Sequence, residues 1–171
     1  MHWAIRRGET KTGLTIFWVD AGIDTGPILL RREVEIGPDD TVGSLYFDRL
    51  FQPGVEALVE SVRLVREGGA PRMTQDESRA TYEAPASDAN SAIDWHRPAR
   101  EVYNLIRGSN PAPGAHAMLR GTQVRIFDAR FSPAAPAAPT GAVMALADDG
   151  DFVEDGIVDQ PCHLVPAPFL G

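Results

Sequence analysis

Two hydrophobic periods succeed one another along the chain. TGLTIFWV, residues 12–19, is dense in β-branched and aromatic side chains and bounded by Gly13 and Gly22, which predicts a strand. ILLRREVEI, residues 28–36, predicts a second strand, with apolar and charged residues alternating in its later half. After PDDT, where Asp39, Asp40 and Thr41 are N-cap candidates, Val42, Leu45 and Tyr46 recur at helical spacing. Pro53 and Gly54 predict a break in that helix. Beyond it Val55, Leu58, Val59, Val62 and Val65 line one face up to Gly68 and Gly69, a stripe expected to meet a core. At the start, MHWAIRRG reads as the end of a short helix that Gly8 stops.

Residues 69–92 are polar and lose the helical period, which predicts a connection over a surface and a domain boundary near residue 85. DWHRPAREVYNLIRG then places Pro98 at a helix start and Gly108 just past its end, with Ala99, Val102, Tyr103 and Ile106 as the buried face. HAMLR, QVRIFDARF and GAVMAL are short strand candidates of the kind that build a small β-barrel or sheet. The final segment, DFVEDGIVDQPCHLVPAPFLG, has no readable period. The pattern is α/β in two parts, residues 1–85 and 86–171.

Composition narrows the function classes. With 171 residues, 43% of them hydrophobic, the chain can bury a core. It has no apolar run near the roughly 18 residues that cross a bilayer and no apolar leader at its start, so the expected setting is soluble and cytoplasmic, without a membrane partner. A net charge of -8 disfavours general adhesion to phosphate backbones. Cys162 is the single cysteine and can form neither an internal disulfide nor a zinc motif; no metal is expected.

The chemistry concentrates in the loop between the two predicted strands, DAGIDTGP. Loops at strand ends carry catalytic groups in α/β sheets, and this one holds two carboxylates, Asp20 and Asp24. Asp and Gly are also ordinary turn residues, so on residue types alone the structural reading leads.

A resemblance changes that weighing. TIFWVDAGIDTGPILLRREVEIGPDDTVGSLY, then GGAPRMTQDESRATYEAP, AIDWHRPAREVYNLIRGSNPAPGA and QVRIFDAR, resemble in order the segments of the folate-dependent formyltransferases. That family includes methionyl-tRNA formyltransferase and the N-terminal region of 10-formyltetrahydrofolate hydrolase and dehydrogenase. The resemblance covers about residues 3–130 and implies the C-terminal remnant of a Rossmann-like domain, then a helix and a small, incomplete β-barrel module. In the family an Asn, a His two residues later and an Asp form the active site, and Asp24 matches the Asp. The resemblance implies that this carboxylate orients the His and favours its protonated form, while Asn and His stabilise the oxyanion formed on the formyl carbon. It also implies that Val19, Asp20, Ala21, Gly22 and Ile23 line a pterin pocket, with Asp20 as a turn or rim residue and Gly22 admitting close backbone approach. The donor substrate would be 10-formyltetrahydrofolate and the acceptor methionyl-tRNA. Water is the alternative acceptor, favoured by FWVDAGIDTG, ATYEAP and the acidic charge.

The Asn and His of the family fall upstream of the position matching Met1, and His2, His96 and His116 do not match them. The expectation is a chain without significant turnover by itself, and a reading of another class, a non-catalytic fragment or binding module, stays open. Two strands cut from a larger sheet are also expected to leave Leu14, Ile16, Phe17 and Leu29 exposed and the chain prone to self-association.

Overall fold

The computed structural model describes residues 1–131 and the backbone of three further strands, 142–146, 152–155 and 162–165. Contacts divide the chain into two compact units. One comprises Thr10–Gly37 with Ser44–Ala84; the other comprises Met1–Glu9, Pro38–Gly43 and Pro85–Gly171.

The first unit is a hairpin under a helix. Strands β1 (Lys11–Phe17) and β2 (Ile28–Glu35) pair antiparallel from Lys11 opposite Glu35 to Phe17 opposite Ile28, with a register shift between Ile16 and Phe17. Both strands are where the β-rich runs predicted them, although β1 ends two residues early and Trp18 and Val19 enter the loop. Thr12, Leu14 and Ile16 alternate with exposed neighbours, as a strand with one covered face requires.

The cover is α3 (Phe51–Arg66), which packs against β1 and β2. It continues without interruption from the short α2 (Val42–Ser44) and a π-helical turn over Leu45–Leu50. The predicted break at Pro53 and Gly54 does not occur. Proline lacks the donor of an i to i−4 bond, and the widened turn ahead of it, in which the Phe51 amide donates to the Tyr46 carbonyl, absorbs that loss without ending the helix.

The predicted core stripe is corrected as well. Ala57 and Ser61 are the buried residues of α3, and the Ser61 hydroxyl donates to the Ala57 carbonyl at 2.7 Å. Val55, Leu58, Val59, Val62 and Val65 are exposed, Leu58 by 56% and Val59 by 66%. Ala57 and Ser61, an i, i+4 pair, mark the covered side of α3, and the valine and leucine stripe lies roughly 100° round the helix from them. Conversely Leu29, expected to be exposed, is buried, and Leu14, Ile16 and Phe17 are half-buried because α3 lies over them.

The second unit has its core on α4 (Ala99–Arg107). Ala99, Val102, Tyr103 and Ile106 are buried as the spacing predicted, and they pack with Ala115 of β3 (Ala115–Leu119) and Ile126 of β4 (Thr122–Ile126). β3 and β4 are joined by Arg120 and Gly121, both at positive φ, the two-residue turn whose twist suits a tight hairpin. QVRIFDARF is split at Phe127, because β5 (Asp128–Phe131) leaves the hairpin for a second sheet. That sheet has the order β5-β8-β7-β6, with β6 at Ala142–Leu146, β7 at Phe152–Asp155 and β8 at Cys162–Val165. The last two strands lie in the segment without a readable period; the side chain of Cys162 is outside the described residues.

Polar groups tie the second unit together. Helix α1 (His2–Arg6) ends at Arg7, with Gly8 at positive φ as expected, and buries Ile5 completely. Arg6 donates to the Asn90 carbonyl and Oδ1 and to the Ser91 and Ser109 hydroxyls, at 2.8–3.1 Å. Asp39, a cap candidate by sequence, instead accepts from the Tyr103 hydroxyl at 2.7 Å. Burial first, and then that bond to Asp39, push the Tyr103 hydroxyl well above its usual range.

Candidate functional site

The loop at residues 18–27 closes where the Trp18 amide donates to the Pro27 carbonyl at 2.9 Å, immediately beyond the last strand pair. Inside it the Asp20 Oδ1 accepts from the Gly22 amide at 2.9 Å and from the Thr25 hydroxyl at 2.8 Å. The Thr25 side chain occupies the space that a Cβ on Gly22 would need. Gly26 is buried with its α-carbon against the Trp18 carbonyl, so any larger residue there would force the loop open. These contacts fold the loop back on itself and leave its remaining side chains outward. Val19 is 91% exposed and Ile23 82%.

Asp24 stands at the tip with φ +57, in the left-handed region. For a residue with a Cβ that conformation costs on the order of 1–3 kcal/mol, and it persists only where neighbouring contacts hold it. Its carbonyl is held by Gln75; its carboxylate is exposed and has no partner among the described residues. The unit that carries Asp24 contains no histidine. His2, in the other unit, bonds the Gly108 carbonyl through Nδ1 at 3.0 Å.

The segment after α3, by sequence a plain connection, is packed along this loop. Ile28 and Met73 exchange two backbone hydrogen bonds, 2.7 and 2.9 Å long. The Trp18 indole donates to the Pro71 carbonyl at 2.9 Å, and the Arg72 guanidinium lies 4.0 Å from the Trp18 ring centroid. Gln75 donates from Nε2 to the Asp24 and Gly26 carbonyls, both at 2.7 Å. Neither Gln75 nor Gly26 was singled out by residue type. The only trace in the sequence was loss of period in a stretch that nevertheless resembles a family segment.

Two family models match the chain in order. Residues 1–62 match formyl transferase and residues 86–156 match the formyl transferase C-terminal domain. The chain belongs to the formyl transferase family. Among curated relatives it is 42% identical over 146 residues to the cytosolic 10-formyltetrahydrofolate dehydrogenase of Xenopus laevis, an alignment covering 85% of this chain and 16% of that protein. It is 36% identical over 156 residues to the methionyl-tRNA formyltransferase of Moorella thermoacetica, covering 91% and 50%. The chain thus spans half the length of that bacterial formyltransferase and a much smaller share of the dehydrogenase. Among solved structures, HypX from Aquifex aeolicus in complex with tetrahydrofolic acid superposes with a TM-score of 0.77 at 21% identity, covering 95% of this formyl transferase chain and 28% of HypX. That likeness concerns the α/β fold. Among the described residues no helix is long and apolar enough to cross a membrane, and no cluster of His, Cys, Asp and Glu could hold a metal ion.

Proposed function

We propose that this chain takes part in formyl transfer from 10-formyltetrahydrofolate, with residues 1–85 contributing to the folate site and residues 86–171 forming the C-terminal module. Asp24 is the carboxylate of the reaction, and the backbone of Val19, Asp20, Ala21, Gly22 and Ile23 lines the pterin. The observation that carries the reading is an exposed carboxylate held in a costly conformation on a self-braced loop, within a chain matched in order by both family models. The acceptor attacks the formyl carbon, an oxyanion forms, and the bond to N10 breaks as that nitrogen takes a proton. A carboxylate next to a cationic acid stabilises it and raises its pKa. The acid itself is not among the residues of the Asp24 unit, which has no histidine.

Methionyl-tRNA is the acceptor that the Moorella relative's name supports. Water is the second reading, favoured by the higher identity to the dehydrogenases and by the net charge of -8, which works against holding RNA. The cytosolic designation of the Xenopus relative supports a cytoplasmic place of action. The apolar stripe left open on α3 supports self-association of the chain.

The test is titration of the purified chain with 5-formyltetrahydrofolate, together with turnover of 10-formyltetrahydrofolate with and without methionyl-tRNA. Saturable binding and background turnover are expected, since a positioned acid or base is worth about a hundredfold to ten-thousandfold and the Asp24 unit holds no histidine to serve as one. Absence of binding, or rapid turnover that Asp24→Asn leaves untouched, overturns the reading.

A further inference from the structure

Gln75 is joined to the tip of the Asp24 loop by side-chain bonds that span about fifty positions of sequence. Both protons of its amide are used, one on the Asp24 carbonyl and one on the Gly26 carbonyl, each at 2.7 Å. These carbonyls bracket Thr25, whose hydroxyl is itself committed to Asp20. The peptide that leaves Asp24 therefore has its orientation set from outside the loop, at a residue whose left-handed φ of +57 is adopted at a steric cost. Gln75 is in turn carried by a fixed segment, with Met73 paired to Ile28 and Pro71 and Arg72 engaging Trp18 at the loop's base.

We propose that Gln75 is a positioning residue, whose amide fixes the backbone at Asp24 and thereby the direction in which the Asp24 carboxylate is presented to bound folate. The link to folate rests on the function proposed above; the effect on the loop does not. A side chain with a single donor could anchor one carbonyl, but holding both against each other needs at least two donors on one group. Gln75→Met keeps length and packing and removes both donors. Gln75→Lys restores donors at a similar reach, since its ammonium offers three.

Amide hydrogen exchange across residues 20–27, thermal unfolding and 5-formyltetrahydrofolate titration, each on the full chain, distinguish positioning from bulk structure. Gln75→Met should speed exchange at Thr25 and Gly26 and weaken folate binding roughly tenfold, as loss of one to two hydrogen bonds to an exposed loop predicts. The unfolding midpoint should stay within about a degree, because the loop that Gln75 braces can open locally without unfolding the unit. Gln75→Lys should recover most of both effects. Unchanged exchange in Gln75→Met overturns the proposal. So does a loosened loop that Gln75→Lys fails to tighten, or a loss accompanied by a lowered midpoint, which would make Gln75 a stability residue only. Failure of the unaltered chain to bind 5-formyltetrahydrofolate counts against the folate reading alone, and the exchange data then decide whether Gln75 orders Asp24.

Discussion

Helices α3 and α4 carry the same sequence signature and meet opposite fates. Each has an apolar stripe at helical spacing. In α4 that stripe is interior, with Val102, Tyr103 and Ile106 all buried against two strands. In α3 the stripe from Val55 to Val65 faces outward and the helix docks through Ala57 and Ser61. Periodicity reports that a face is apolar, and hence worth covering; it does not report that a cover of sufficient width exists. A two-stranded hairpin is narrow, and the residues that α3 buries are small ones, Ala57 and Ser61.

The comparison is broken most directly by equal truncations. Ile106, 1% exposed, should cost about 2–5 kcal/mol when changed to alanine, the range for emptying a packed core. Leu58→Ala should cost under about 0.5 kcal/mol, as at other surface positions. Urea unfolding at low protein concentration measures both. Equal losses would mean that the α3 stripe is covered in solution. Sedimentation of the same Leu58→Ala protein then tells whether a second copy provides the cover.

A smaller difference separates the polar ties of the two units. Arg6 holds four neutral acceptors in the second unit, and Arg6→Met would strand the partly buried ones, at a cost of roughly 1.5–3 kcal/mol. In the hairpin unit Arg32 pairs with Glu60, and both are substantially exposed. Arg32→Met should therefore change stability by less than about 1 kcal/mol. Chemical unfolding of the two variants ranks them, and the reverse order would refute the view that the second unit is the better tied of the two.

These contrasts mark how far the residues alone could be read. Strands β1 and β2, helix α4 and its buried face, and the Gly8 and Gly108 stops were legible because each rests on local chemistry, namely β-branching, period and helix punctuation. The loop carrying Asp24 was legible as a loop for the same reason. Its internal order was not. The left-handed Asp24, the Gly26 approach to Trp18 and the Gln75 amide on two carbonyls depend on residues far apart in sequence and show no period. The continuity of the helix across Pro53 was missed because a π turn compensates for the absent donor, and no single residue type announces such a turn. Strands β7 and β8 were missed because each is four residues long, too short for alternation to stand out.

The smallest expected effect separates the two units by pH. His2, at the start of α1, reaches the Gly108 carbonyl through Nδ1, and its pKa lies below the ordinary 6.5. Burial is the main cause, with the Arg6 charge and the N-terminal amine adding to it and the Gly108 bond working against it. A base whose folded pKa is depressed binds fewer protons folded than unfolded, so stability rises with pH. The contribution is complete above about 6.5 and is lost as the pH falls through the lowered folded value. The Met1 amine, also lowered by burial, acts in the same direction at higher pH. Moving from pH 7.5 to 5.5 should therefore speed amide exchange in α1. In Thr10–Gly37, which contains no histidine, the rates corrected for intrinsic pH dependence should stay constant. His2→Gln, which can still donate to Gly108 and does not titrate, should remove most of the change in α1 and leave only the share due to the Met1 amine. If the variant keeps the full pH response, the docking of α1 is governed by the amine and not by the imidazole; if both units respond alike, the pH effect is global and His2 has no part in it.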